Sequence, residues 1–289
     1  FAATGAYAFW NTNLLNGYRS PVGEEARLAD YERRYLRYER LAQPAIVDVR
    51  LEVALHPSER RAVTKGRYRL RNLTDRPIRD IHVRVRDREL RLARAEVTGG
   101  RPVSDDPEHG YRILRLDRAM RPGEERELSF ETRRHHRGFR NGMPATGLVE
   151  NGSMLHEKEL MPAIGMDRDG LLDGPAERRR HGLAPELGPG GAETGFPSAT
   201  ADIIVSTAAD QIPIAPGRKV ADRVQGGRRI ARFVSDRPIR LFFAVQSARY
   251  AVRHRRHGDI DLEVYHHPGH GWSVERMLGP LALSPDHYP

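Results

Sequence analysis

Three histidines near the end of the chain, His266, His267 and His270, are the residues whose type and spacing most directly suggest chemistry. Imidazole is a common ligand of zinc and copper, so a group of three could hold a metal ion. The histidines follow an alternating strand pattern, however, and neighbouring strand residues point to opposite faces. His266 and His267 therefore could not both reach one ion without a distortion. No carboxylate at a ligand spacing follows them, and we predict no metal site.

A second segment, His156–Leu160 (HEKEL), nearly matches the zinc-peptidase motif H-E-x-x-H. That motif needs a second histidine four residues after the first, so that both imidazoles leave one face of a helix. Leu160 stands at that position, and Pro162 discourages a helix there. The chain also lacks a G-x-S-x-G motif and a Gly-rich phosphate loop. We therefore predict no catalytic residue and no cofactor in this chain.

The basic composition suggests an anionic partner only weakly. The net charge is +9, yet 45 of the 48 basic residues are arginines interleaved with acids along the chain. This bias is more typical of codon usage than of phosphate binding, and no zinc finger or RNA-binding aromatic motif is present. We predict no nucleic-acid partner. Attraction to anionic lipid headgroups is an alternative, and it would make retention of the chain on a lipid surface strongly salt-dependent. The absence of cysteine excludes disulfides and thiolate nucleophiles.

The first forty residues indicate two helical segments. Phe1–Trp10 is apolar and ends in aromatic residues. It is too short to cross a bilayer, but it resembles the interfacial end of a membrane helix. We predict a membrane-proximal placement, and an ordinary buried helix is the alternative. Glu24–Leu41 carries tyrosines at helical spacing and is followed by Pro44, which predicts a surface helix with its tyrosines turned inward.

From Ala45 onward the hydrophobic period changes from 3.6 to 2, which predicts strands. Regularly spaced strands separated by turn residues favour a mainly β, antiparallel β-sandwich. Gly138–Pro197 interrupts the series as a loop-rich insertion with one short helix at Pro175–His181, and Val220–Gly227 is expected to be a turn. A helical start at Trp272–Met277 is expected to be interrupted by Gly279-Pro280.

Several segments carry a family resemblance when they are taken in chain order: Asn11–Asn16 with Ala29–Glu32, Val47–Pro77 with its GRYRLRN stretch, Asn151–Gly165, Ser247–Tyr250 and Val264–His270. Together they resemble bacterial proteins in which an ABC-transporter permease is fused to an aminopeptidase N-like zinc peptidase module. The resemblance implies the saddle-like N-terminal β domain of that module. It implies residues 1–43 as a membrane-proximal linker and helix, 44–271 as the β domain with the insertion at about 138–197, and 272–289 as the start of a truncated or divergent helical region.

The resemblance also implies a function without catalysis. In the family, zinc is bound by a separate helical domain, and the β domain lends side chains that hold the free α-amine of a peptide substrate. The matching region here contains Glu157 and Glu159, which are the candidates for binding that amine; two exposed loop glutamates are the alternative. The implied partners are the catalytic domain, the permease segments and a peptide, on the extracytoplasmic side of the membrane. The alternative function is a binding or scaffold module of a transporter without peptidase activity.

Overall fold

The computed structural model describes residues 1–141, 146–190 and 197–287. The fold is mainly β, as the sequence predicts. Within the described residues the strands are β1 (Ala45–His56), β2 (Arg61–Arg71), β3 (Ile78–Arg84), β4 (Leu90–Val97), β5 (Gly100–Asp106), β6 (Tyr111–Met120), β7 (Glu125–His135), β8 (Leu148–Val149), β9 (Gly152–His156), β10 (Ala163–Ile164), β11 (Ser198–Ala208), β12 (Ile212–Ile214), β13 (Arg218–Gln225), β14 (Arg228–Val234), β15 (Ile239–Arg240), β16 (Ala244–Ala248), β17 (Ala251–His257) and β18 (Ile260–His266). The α-helices are α1 (Ala2–Phe9), α2 (Pro21–Tyr35), α3 (Pro175–Arg180) and α4 (Val274–His287).

The largest sheet has the strand order β13-β14-β11-β1-β2-β7-β4, with β15 pairing on β11. Its neighbours are antiparallel except β1 and β11, which pair in parallel with Val49 opposite Ala201. This parallel pair is a local departure from the antiparallel pattern that the sequence predicts. Parallel neighbours require a long crossover between opposite ends of a sheet, and β7 terminates at the end of the sheet opposite to the one where β11 begins.

The core lies between this sheet and two four-stranded sheets, β10-β3-β6-β5 and β12-β16-β9-β8. Alternation along β1 buries Val49, Leu51, Val53 and Leu55, as predicted. A register shift between Ile46 and Asp48 places Ile46 inside instead of Val47. The insertion is part of this core, because Leu148, Leu155, Leu160 and Met161 are all buried in it. Its predicted short helix is α3.

Three local predictions differ from the structure. The sequence does not predict β5. None of its residues is buried, and the segment therefore lacks the alternation of apolar and polar residues that indicates a half-buried strand. The segment expected to be a turn forms most of β13, and the turn itself is confined to Gly226 and Gly227, both with positive φ. Helix α4 continues through Gly279-Pro280 to His287. Burial of Val274 and Leu278 where α4 packs on β17 and β18 stabilises the helix despite the hydrogen bond that Pro280 cannot donate.

The two N-terminal helices, α1 and α2, differ in how far they are buried. α1 has no buried residue, and it leads into a π-helical turn at Trp10–Leu15. α2 is capped by the Ser20 side chain, and it buries Tyr31 and Tyr35 as predicted. The ring of Tyr35 stacks on Tyr111 of β6 at a centroid distance of 4.0 Å. Among the described residues, no helix has both the length and the apolar character needed to cross a bilayer.

Candidate functional site

The two predicted glutamates lie on one 3₁₀ turn, Glu157–Glu159, directly after β9. The turn is anchored at both sides. The backbone N–H of Glu157 donates to the carbonyl of Phe243 (3.0 Å), and the next two residues, Leu160 and Met161, enter the core. The carboxylate of Glu159 accepts the backbone N–H of His156 at 2.8 Å, which closes the start of the turn. We call this segment the Glu157 turn.

Glu157 is buried, with only 4% of its surface exposed. Its Oε1 atom lies 3.3 Å from Nη2 of Arg86, two residues after the end of β3. Its Oε2 atom has no hydrogen-bond partner within the described ranges. A buried carboxylate oxygen without a donor is unfavourable, because desolvation of the charge is then only partly offset. The interpretation of Glu157 as an exposed loop residue is therefore wrong.

Glu159 has both carboxylate oxygens engaged. Oε2 accepts from the His156 backbone, and Oε1 lies 3.1 Å from Nη2 of Arg134, a buried residue at the end of β7. The same guanidinium also contacts Asp87 at 2.9 Å and Glu89 at 2.6 Å. Three carboxylates thus share one buried cation, which fixes the Glu157 turn against β4 and β7. The structure brings Glu157 and Glu159 together, but only Glu157 has an oxygen left for another donor.

His136 completes the surroundings of Arg134. Its Nε2 atom accepts a hydrogen bond of 3.0 Å from Nε of Arg134. Burial, together with the charges of Arg134 and Arg60, lowers the pKa of His136 from 6.5 to about 4. The imidazole is consequently neutral at neutral pH, as an acceptor from an arginine must be.

Arg134, His136 and Arg86 are site residues that the sequence did not single out. One signal could have identified the first two. The period of two along β7 places Leu128, Phe130 and Thr132 on the buried face, and continuing it by two further steps reaches Arg134 and then His136. Arg86 has no comparable signal, since it follows β3 in an irregular segment.

Of the three C-terminal histidines, His266 ends β18, His267 caps the 3₁₀ segment Pro268–Ser273, and His270 lies within that segment. Nδ1 of His266 lies 2.9 Å from the carbonyl oxygen of His267, and Nδ1 of His267 accepts the backbone N–H of Gly269 at 3.1 Å. One ring nitrogen of His266 and one of His267 are therefore engaged with the backbone. In the part of the chain that the structure describes, no cluster of three or more His, Cys, Asp or Glu side chains is arranged to hold a metal ion.

Comparison with known proteins gives a match at the level of structure alone. No protein-family model matches the chain, and no curated protein matches it. The fold is similar to M1 zinc metallopeptidases. The enzyme from Deinococcus radiodurans has a TM-score of 0.50 at 14% identity, over 84% of this chain and 55% of that one. A mutant of the Deinococcus enzyme bound to a Tyr-Ser-Ala substrate gives 0.50 at 13% identity, over 82% and 52%.

A third solved structure, a mutant two-domain M1 zinc metallopeptidase bound to L-tryptophan, matches with a TM-score of 0.50 at 14% identity over 76% of this chain and 47% of that one. At such low identity the likeness concerns the fold, which is that of an M1 peptidase N-terminal domain. The chain spans about half of the length of these structures.

Proposed function

We propose that this chain is the non-catalytic β domain of a membrane-anchored protein that combines an ABC permease with a zinc aminopeptidase-like module. In this role it docks a helical catalytic domain and forms one wall of the peptide cleft. The observation that carries the proposal is the fold likeness to M1 zinc metallopeptidases over most of this chain but about half of theirs. The described residues do not fit zinc, since no suitable group of ligands lies together among them. Zinc is therefore assigned to the catalytic domain.

Within this role Glu157 is the candidate ligand of the substrate α-amine. A primary ammonium group carries three donors, and a buried carboxylate with one unused oxygen can accept one of them. The attraction between the two charges is stronger in a site that excludes water. The guanidinium of Arg86 occupies the other carboxylate oxygen, at 3.3 Å. Glu159 acts as a positioning residue that holds the turn.

The membrane placement rests on the first helical segment. Tyr7, Phe9 and Trp10 all leave about half or more of their surface exposed at the end of α1. Such aromatic residues are favoured at the bilayer interface, where one part of the ring is apolar and another part is wet. We therefore place the β domain close to the membrane and the permease segments, and the family resemblance favours the extracytoplasmic side.

Two measurements test the catalytic assignment. The purified chain with added Zn²⁺ should not hydrolyse aminoacyl-p-nitroanilides. Hydrolysis that survives Glu157→Gln and the replacement of His266, His267 and His270 by Gln would overturn the proposal. The reading frame downstream of Pro289 is the second measurement. An H-E-x-x-H motif in that frame supports a peptidase. A stop codon or a membrane span favours the transporter scaffold without peptidase activity.

The amine-binding role of Glu157 requires the full protein that carries this domain. Glu157→Gln should raise KM for peptides with a free N-terminus by roughly tenfold or more, because one charge-assisted hydrogen bond is lost. Glu150→Gln is the matched control, since Glu150 is exposed on the neighbouring turn and should leave KM unchanged. Equal KM values in the two variants would exclude Glu157 as the amine ligand.

A further inference from the structure

A cavity of about 650 Å³ lies between the end of the N-terminal helical segment and the outward face of β2, β4 and β7. Leu15 and Asn16 form its wall on the helical side. Its basic lining residues are Arg61, Arg91, Arg133, Arg134, His135 and Arg137. The cavity is within the size range of small-molecule sites. We call it the arginine cleft. It is distinct from the Glu157 turn, although Arg134 touches both.

The charge of the arginine cleft is only partly neutralised from within the protein. Five of the described lining residues are arginines, and two, Glu89 and Glu131, are acids. Glu131 pairs with Arg133 at 2.6 Å. Glu89 is already engaged by Arg134 and Arg140. Both acids are therefore committed, and Arg61 is paired with Glu59, which lies outside the cleft lining, at 2.8 Å.

Arg91 and Arg137 are the uncommitted cations. Arg91 has no ion pair or side-chain hydrogen bond anywhere in the described part of the chain, and Arg137 donates from its Nε only to Nδ1 of His135, at 3.2 Å. Both arginines are exposed toward the cleft. They offer ten N–H donors between them, by the usual count of five per guanidinium, with one used within the protein.

The register of the sheet brings like charges together at this place. Arg91 of β4 lies directly opposite Arg133 of β7. Like charges at directly opposed positions on adjacent strands are destabilising, and Glu131 can neutralise only one of this pair. In addition, burial and the charges of Arg137 and Arg61 lower the pKa of His135, which is the response expected in a positive local field. A bound anion would relieve this repulsion.

We propose that the arginine cleft binds a phosphate group, presented either as free phosphate or as the headgroup of an anionic phospholipid. A guanidinium fork matches phosphate oxygens in a bidentate manner, and a tetrahedral anion can accept from several guanidiniums that converge from different strands. A planar carboxylate offers only two oxygens to the same set of donors. The lipid source fits the position of the cleft, because Tyr7 of α1 packs against Phe139, two residues beyond Arg137.

The test uses the double variant Arg91→Gln/Arg137→Gln. The control is Arg101→Gln/Arg121→Gln, which removes the same charge from exposed positions outside the cleft. By calorimetric titration with inorganic phosphate at constant ionic strength, the unmodified chain and the control should bind alike. The cleft variant should bind at least about tenfold more weakly. Phosphate should also raise the Tm of the unmodified chain and of the control, but not that of the cleft variant.

The second arm distinguishes the two sources of phosphate. Retention is measured on phosphatidylcholine vesicles with and without phosphatidylglycerol. The site is assigned to a lipid headgroup if three results hold together. The unmodified chain is retained only on the anionic vesicles, the cleft variant is not retained on them, and free phosphate binds weakly. This arm relies on the proposed membrane placement, whereas the free-phosphate titration does not. Equal binding of phosphate and of anionic vesicles by the cleft variant and the control would overturn the proposal, as would the absence of binding to both probes.

Discussion

The guanidinium of Arg178 meets the carboxylate of Glu32 in the protein interior through two parallel hydrogen bonds of 2.8 Å each. Arg178 lies on α3 in the insertion and is 2% exposed, and Glu32 lies on α2. Two of the remaining three donors of Arg178 reach backbone carbonyls, at 2.6 Å to Ala184 and 2.8 Å to Leu172. This pair therefore joins the N-terminal helix to the insertion, two segments that are far apart in the sequence.

Removing one partner of this pair should destabilise the fold strongly. Arg178→Met leaves the Glu32 carboxylate buried without a counter-ion, which typically costs about 3–5 kcal/mol in the free energy of unfolding. Urea denaturation followed by circular dichroism measures this loss. Combining Arg178→Met with Glu32→Leu should recover much of it, because no buried charge then remains.

Arg180→Met is the matched control for that series. Arg180 lies on the same helix and pairs with Glu25 and Glu177, but its side chain is 56% exposed. Exposed ion pairs contribute only about 0–1 kcal/mol. If Arg178→Met lowers the free energy of unfolding no more than Arg180→Met does, the Arg178–Glu32 pair does not hold the insertion in place.

The sequence could predict α3 but not its role. A proline at the start and arginines in the last turn indicate a short helix at 175–181, and the helix is found there. Arg178, Arg179 and Arg180 are chemically identical, however. Only the three-dimensional path of the insertion decides that the first of them is buried against Glu32. For the same reason the loop-rich composition of the insertion does not indicate that Leu155 and Leu160 belong to the core.

Gly66 and Phe130 form a second long-range relationship, directly opposite one another on β2 and β7. A Cβ atom at position 66 would lie 2.1 Å from Cζ of Phe130, because the ring covers the glycine. Gly66→Ala should therefore reduce the free energy of unfolding by about 1–3 kcal/mol through overpacking. The double variant Gly66→Ala/Phe130→Leu should lose less free energy of unfolding than the sum of the losses in the two single variants, because the smaller leucine side chain leaves space for the alanine methyl group.

Gly5→Ala provides the comparison for the glycine series. Gly5 lies in α1, and apart from its chain neighbours and the local helix backbone no atom lies within 4 Å of the position that an alanine methyl group would occupy there. Alanine should therefore be neutral or stabilise the helix by up to about 1 kcal/mol. Thermal unfolding of both variants separates the effect of overpacking from the general effect of losing a glycine. A Gly66→Ala protein with an unchanged Tm would show that the ring of Phe130 moves aside without cost.

The candidate site was predictable only in part. The family resemblance pointed to Glu157 and Glu159, and the structure places both on one turn. The resemblance could not distinguish them, because the difference lies in the donors around each carboxylate. Those donors come from Arg86 and Arg134, which are distant in the sequence. Burial of a charged residue is decided by the whole set of partners that compensates it, and a local pattern does not contain that set.

His82 should make the stability of the fold depend on pH. It is 2% exposed, and its Nδ1 atom lies 2.8 Å from the hydroxyl of Tyr111 beneath α2. Burial lowers the pKa of His82 from 6.5 to about 4, although the nearby carboxylate of Asp80 opposes this shift. As the pH falls from 6.5 toward 4, the unfolded chain therefore binds more protons than the folded one. The free energy of unfolding decreases over that interval.

His82→Gln tests this origin of acid sensitivity, because glutamine keeps a polar group near Tyr111 but does not titrate. The urea midpoint should fall less between about pH 7 and about pH 5 in this variant than in the unmodified chain. A part of the fall should remain, since His136 has a similarly lowered pKa. His254→Gln, at an exposed position on β17, should keep the full pH dependence. An identical fall in the His82 and His254 variants would assign the acid sensitivity to other groups.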